Sequence, residues 1–207
     1  MNEQWFGTVG VTLALSASLL NLIAQDWRKR VLALALQTIG VFVLCAQSLS
    51  LNLALVKFVE GWMAAAIIGT AMANFFPSRS TSSLSEEVSS PIASPPSALA
   101  FRLATAALVG VFLQEGATYL MSFFNGLRFT QAIAVMGLAG IGLLVLSFRS
   151  STFSTTIGLI TFLNGLEVLL AVIEPSVLLS GLLAGVVLCL AFLGAYLLYL
   201  EGETKSR

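Results

Sequence analysis

The sequence predicts an all-α fold: a polytopic membrane bundle of about seven transmembrane helices, with no soluble domain large enough for chemistry of its own. Composition is the first observation. Hydrophobic residues make up 57% of the 207 positions, charged residues only 10%, and mean hydropathy is +0.95. A water-soluble surface needs roughly 25% charged residues, so another solvent must cover this chain, and hydrocarbon fits. The second is spacing: apolar runs recur at about the 20 residues that a bilayer core of ~30 Å demands. The third is a single polar segment, residues 77–98, that divides the runs into three and four.

Taken in order, the spans fall near residues 5–24, 31–50, 53–74, 100–121, 129–148, 153–173 and 176–199. The first reads as a retained span rather than a cleavable leader. Asn2 and Glu3 stand where a leader carries Lys or Arg, and the apolar stretch exceeds an h-region. Asp26-Trp27-Arg28-Lys29-Arg30 forms a charged turn before the second span. After the third, PSRSTSSLSEEVSSPIASPPSA cannot bury enough apolar area to offset its ordering entropy, so 77–98 reads as a flexible linker on the cytoplasmic side. Glu86 and Glu87 within it read as solvated. The organisation is then a three-helix unit (1–76), the linker, and a four-helix unit with a short charged tail (99–207). Asn125-Gly126 marks the turn after the fourth span. Glu174-Pro175 ends the sixth, because proline cannot donate a backbone hydrogen bond within the preceding turn.

Lysine and arginine set the orientation. With the N-terminus outside and the C-terminus inside, the inner face receives Arg28, Lys29, Arg30, Arg79, Arg102, Arg149, Lys205 and Arg207, and the outer face only Arg128. This agrees with the positive-inside rule and with an odd number of spans. Helices one to three and five to seven then run in the same directions. Each triplet carries an amide in its middle helix, Gln37 and Asn164, which suggests a 3+1+3 duplication with the fourth helix as crossover.

Several chemistries are excluded or disfavoured. The formal net charge is zero, which gives no footprint for a nucleic acid. The absence of histidine removes the commonest metal ligand and the usual general base near neutral pH. Cys45 and Cys189 lie far apart within apolar runs and read as small hydrophobes. No GxGxxG, Walker A, CxxC or Ser/His/Asp set occurs. No catalytic site, metal site or cofactor site is expected.

Four ionisable residues nevertheless fall inside spans: Lys57 and Glu60 in the third, Glu115 in the fourth and Glu167 in the sixth. Each costs about 2.5–3.5 kcal/mol at mid-bilayer even on the lenient insertion scale, so they should face protein or water. Glu60, Glu115 and Glu167 each lie about seven or eight residues from the outer end of their helix. At 1.5 Å per residue that places three carboxylates in one layer roughly 10–12 Å deep. Lys57 and Glu60, three apart, share a helix face and can pair. Gln114 adjoins Glu115, Asn164 lies one turn before Glu167, and Gln37 and Gln47 lie in the second span. Three readings are open: a structural ion pair, a lateral proton path through carboxylates beside a lysine, and a cation or small-solute pathway.

The segment Thr161-Phe162-Leu163-Asn164-Gly165-Leu166-Glu167-Val168-Leu169-Leu170-Ala171 resembles the glutamate-bearing second helix of the small K subunit of complex I. The wider layout resembles hydrogenase-4 component E, a larger relative in complex I-related hydrogenase and Mrp-type assemblies. The basic turn Arg28 to Arg30, Gln37, an ionisable residue in helix three, the linker, and Asn164-Gly165 before a last helix ending near Glu201 all correspond. The chain departs from component E in having no proline between Lys57 and Pro77. The resemblance implies a non-catalytic subunit of a proton- or sodium-translocating complex in an energy-transducing, bacterial-type membrane. Its partners would be antiporter-like membrane subunits and a redox peripheral arm. Glu167 and Glu115 would carry protons, Lys57 and Glu60 would form a charge-coupled element, and Gln37, Gln114 and Asn164 would support them. A stand-alone ion or solute transporter and a structural scaffold are the alternative classes.

Overall fold

The computed structural model describes residues 2–75, 96–124, 126–148 and 151–206. Among these are seven helices: α1 (Asn2–Ile23), α2 (Trp27–Cys45), α3 (Leu51–Phe75), α4 (Pro96–Phe123), α5 (Phe129–Phe148), α6 (Thr152–Ile173) and α7 (Val177–Ser206). Six of them are long and apolar enough to cross a membrane, and the chain is an integral membrane protein. Of the segment read as a linker, residues 77–95 lie outside the described residues, while Pro96 already opens α4. Arg79, Asn125, Arg149 and Arg207, used for the orientation or the turns, also lie outside them.

The helix that does not qualify is α2, and its exception has a cause. Its 19 residues reach about 28 Å, but Arg28, Lys29 and Arg30 occupy the first turn. It begins and ends earlier than the predicted 31–50. Its far end is held by Gln131 at the start of α5, whose Nε2 donates to the Leu44 carbonyl at 3.1 Å and to Ser48 Oγ at 2.8 Å. Packed between α1, α3 and α6, α2 turns only part of its surface outward and buries Arg30, Gln37 and Thr38.

The helices pair in rows. α1 lies beside α5, α2 beside α6 and α3 beside α7, while successive helices α1–α2–α3 and α5–α6–α7 also pack together. Two four-helix rings therefore share α2 and α6. One core gathers Val11, Ala14, Val41, Leu138 and Val168 from the α1/α2/α5/α6 ring. The other gathers Leu34, Ala64, Ile68, Ile157 and Val187 from the α2/α3/α6/α7 ring. Helix order follows the suggested 3+1+3 plan, while the lateral pairing of the two triplets is supplied by the structure. The fourth helix stands apart: α4 rests on α5 and touches α1 at the bundle's edge.

Helix association in lipid lacks a hydrophobic drive and depends on close backbone approach. At Gly40 of α2 an added Cβ would lie 2.6 Å from the Ala14 nitrogen and 2.7 Å from the Gly10 carbonyl oxygen of α1; at Gly142 of α5 it would lie 2.7 Å from the Phe162 nitrogen of α6. These two crossings sit toward opposite ends of the bundle, so the two halves are alike in layout and differ in detail. The GxxxG of Gly181 and Gly185 makes no such approach, with nothing within 4 Å of either position.

The turns follow local chemistry. Gly126 adopts φ +98°, open to glycine and strained for other residues. Ser151 caps α6 by accepting from the Ser154 amide, and Ser176 caps α7 by accepting from the Leu179 amide at 3.3 Å. At the basic face Thr152 of α6 donates to Glu201 of α7.

Candidate functional site

A lysine between two buried carboxylates is the chemical centre of the bundle. Lys57 and Glu60 stand one turn apart on α3, and Glu167 faces them from α6. Lys57 Nζ donates to Glu60 Oε2 at 3.0 Å and to Glu167 Oε1 at 2.7 Å. Lys57, Glu60 and Glu167 are 6%, 4% and 4% exposed, so the group belongs to the protein interior and not to lipid. α3 can bring its charges inward because it packs between α2 and α7, with Gly61 meeting the Thr38 side chain of α2 just beyond Glu60. α6 brings Glu167 because its inward face runs Ser154, Thr161, Asn164, Glu167 and Ala171 at helical spacing.

The charges do not balance. One ammonium meets two carboxylates, and the described basic side chain further along the same seam, Arg30, lies about 20 Å away by the rise of α6 between Ser154 and Glu167. At contact distance in a poorly solvated interior the attraction within each pair is large. A third, uncompensated charge is correspondingly costly. Lys57 bonds to both carboxyls at once and is the group's one counter-charge among the described residues.

Polar groups continue on both sides. Toward the end of the bundle opposite Arg30, Cys45, Leu49, Lys57, Glu167, Glu174 and Ser180 line a cavity of about single-water size. Glu174 is exposed at the α6–α7 turn, so the cavity lies between the cluster and that surface. Toward the basic face, Asn164 lies one turn from Glu167, buried, with its Nδ2 unpaired among the described groups. Thr161 donates to Gln37 Oε1 at 3.3 Å, while Gln37 Nε2 is likewise unpaired. Further down, Arg30 Nη1 donates to Ser154 Oγ at 2.7 Å, with the guanidinium 4.9 Å above the Phe153 ring. The polar groups thus form a column along the α2–α6 seam, running from one face of the bundle to the other.

Of the seven residues singled out from sequence, the fold brings five to this seam: Lys57, Glu60 and Glu167 in direct contact, Asn164 and Gln37 along it. Glu115 and Gln114 are elsewhere. Both are exposed on α4, which does not pack beside α3 or α6 as a neighbour in the rows. The single layer of three carboxylates is thus two carboxylates in a cluster and one on the bundle's edge. Depth along each helix was readable from sequence, but azimuth was not. Arg30 and Ser154 were missed because Arg30 reads as loop charge; the spacing Ser154, Thr161, Asn164, Glu167 on one face of α6 was the signal that could have found the column. Among the described residues no group of His, Cys, Asp and Glu could hold a metal ion.

Compared with protein-family models, curated proteins and solved structures, the chain matches none.

Proposed function

We propose that this protein is a non-catalytic membrane subunit of a proton- or sodium-translocating complex of the complex I and hydrogenase kind, and that Lys57, Glu60 and Glu167 form its proton-carrying element. The observation that carries this reading is the sharing of one buried lysine by two buried carboxylates on different helices. An ion pair built for stability alone is weak evidence of its own worth, since apolar residues of equal volume commonly do as well. A lysine with two acids has a further property: it has two places for one proton. Moving the proton from Glu60 to Glu167 moves charge from α6 to α3 without leaving the neutral state, and Lys57 follows by exchanging hydrogen bonds.

The surroundings support the same reading. The cavity toward Glu174 offers a water-sized link to the outer face, and the amides of Gln37 and Asn164 offer unpaired donors toward the basic face. Such groups, joined by water, are what proton transfer through a bundle requires. Antiporter-like membrane subunits and a redox arm would be the partners, and an energy-transducing bacterial membrane the setting. Glu115 takes no part in this element.

Glu167→Gln tests the proposal. The substitution leaves Lys57 and Glu60 as a balanced pair, so assembly into the native complex is expected to persist. Ion translocation driven by that complex, measured in membrane vesicles, is expected to fall at least tenfold. Full translocation in an assembled Glu167→Gln complex would remove the cluster from the path.

A further inference from the structure

From the placement of Glu115 we infer that α4 docks a transmembrane helix of a different protein, one that presents a lysine or arginine at the depth of Glu115. The inference rests on the subunit reading in requiring a partner chain, and it is independent of whether the Lys57 cluster carries protons. Two observations lead to it. First, α4 is the least covered span: only 11% of Ala100–Phe123 is buried, against 56% of α6. Leu108, Val111, Phe112 and Tyr119 are 58%, 71%, 64% and 66% exposed. Second, this open face is not wholly apolar. Glu115 and Gln114 project from it, both exposed, and among the described residues no ion pair reaches Glu115.

Glu115 lies eight positions from Phe123, the outer end of the span, or about 12 Å along the axis. A carboxylate at that depth facing hydrocarbon is costly, and a group on an open face at such depth marks a contact and not a lipid surface. Charge identifies the occupant. A second copy in the same orientation would set Glu115 against Glu115 at equal depth. The other charged residue of the span, Arg102, is thirteen positions away, about 20 Å along the helix, and cannot reach across. A basic side chain on a different helix offsets the carboxylate. Gln114 on the same exposed face can hydrogen-bond its neighbours, and Phe112 and Tyr119 provide broad apolar contact on either side.

The experiment is in-membrane photocrosslinking with the full chain in its native membrane, a photoreactive residue replacing Val111, followed by mass spectrometry of the joined peptide. The expected product is a membrane-spanning peptide of another protein with a Lys or Arg level with Glu115. Glu115→Lys is expected to cut that crosslink at least tenfold, and exchanging the partner's basic residue for Glu is expected to restore it. Size-exclusion behaviour of the Glu115→Lys chain confirms that the bundle itself persists. Crosslinks to lipid alone, to a second copy of this chain, or to a partner whose yield ignores Glu115→Lys would each overturn the inference. None of these outcomes bears on Glu167→Gln, which reports on the proton-carrying element separately.

Discussion

Lys57 shows how a single residue sets the terms for its neighbours. Removing it leaves the ionised member of the two buried acids with no counter-charge, and breaking a buried pair in this way typically costs about 3–5 kcal/mol. Lys57→Met is therefore expected to lower the unfolding midpoint of the purified protein sharply. The triple variant Lys57→Met, Glu60→Gln, Glu167→Gln removes every charge at once and is expected to recover most of that loss, because no group is left uncompensated. Thermal unfolding in detergent distinguishes the two; a Lys57→Met protein as stable as the parent would mean that the three side chains do not interact as described. At this scale the sequence was informative about which residues and how deep. The i,i+3 spacing of Lys57 and Glu60 was enough to pair them. That Glu167, and not Glu115, completes the group depends on rotation about the helix axes and on which helices are neighbours. Neither leaves a trace in residue spacing on a helix as evenly apolar as α4.

Among the elements, the glycines separate cleanly by what they meet. Gly40 and Gly142 are where α1 crosses α2 and α5 crosses α6, each against backbone atoms that cannot swing aside. Gly40→Ala is expected to destabilise by about 1–3 kcal/mol, as overpacking of a close contact does. Gly181→Ala, on an open face of α7, is expected to be neutral or to stabilise by up to ~1 kcal/mol through better helix propensity. Equal losses for the two substitutions in a thermal unfolding series would contradict the crossing assignment. Sequence motif alone ranks them the other way, since Gly181 and Gly185 form the GxxxG and Gly40 stands in no such pattern. The motif marks a surface able to approach a backbone; the partner is supplied by the fold. The same limit explains α2. Its basic first turn looked like a loop before a span, yet Arg30 lies within the bundle because Ser154 and the Phe153 ring receive it.

For the whole molecule, hydropathy and charge placement carried far. The helix count and the all-α class follow from apolar run lengths and turn residues, and the described residues agree. The rows α1/α5, α2/α6 and α3/α7 go beyond this, because lateral order in a bundle is decided by many weak contacts between similar apolar faces. That lateral order positions the function proposed here: it puts α2 and α6 at the centre, where their polar residues are sheltered, and leaves α4 at the edge, where Glu115 is open to a partner.

The most direct test of the central claim, that Glu60 and Glu167 share one exchangeable proton beside Lys57, is infrared difference spectroscopy of the membrane-embedded protein on exchange from water to heavy water. The account predicts a protonated-carboxyl band that shifts on exchange in the parent and is lost in the Glu60→Gln, Glu167→Gln double variant. A double variant whose protonated-carboxyl spectrum is the same as the parent's would contradict it, leaving the lysine and its two acids as a fixed ionic brace between α3 and α6.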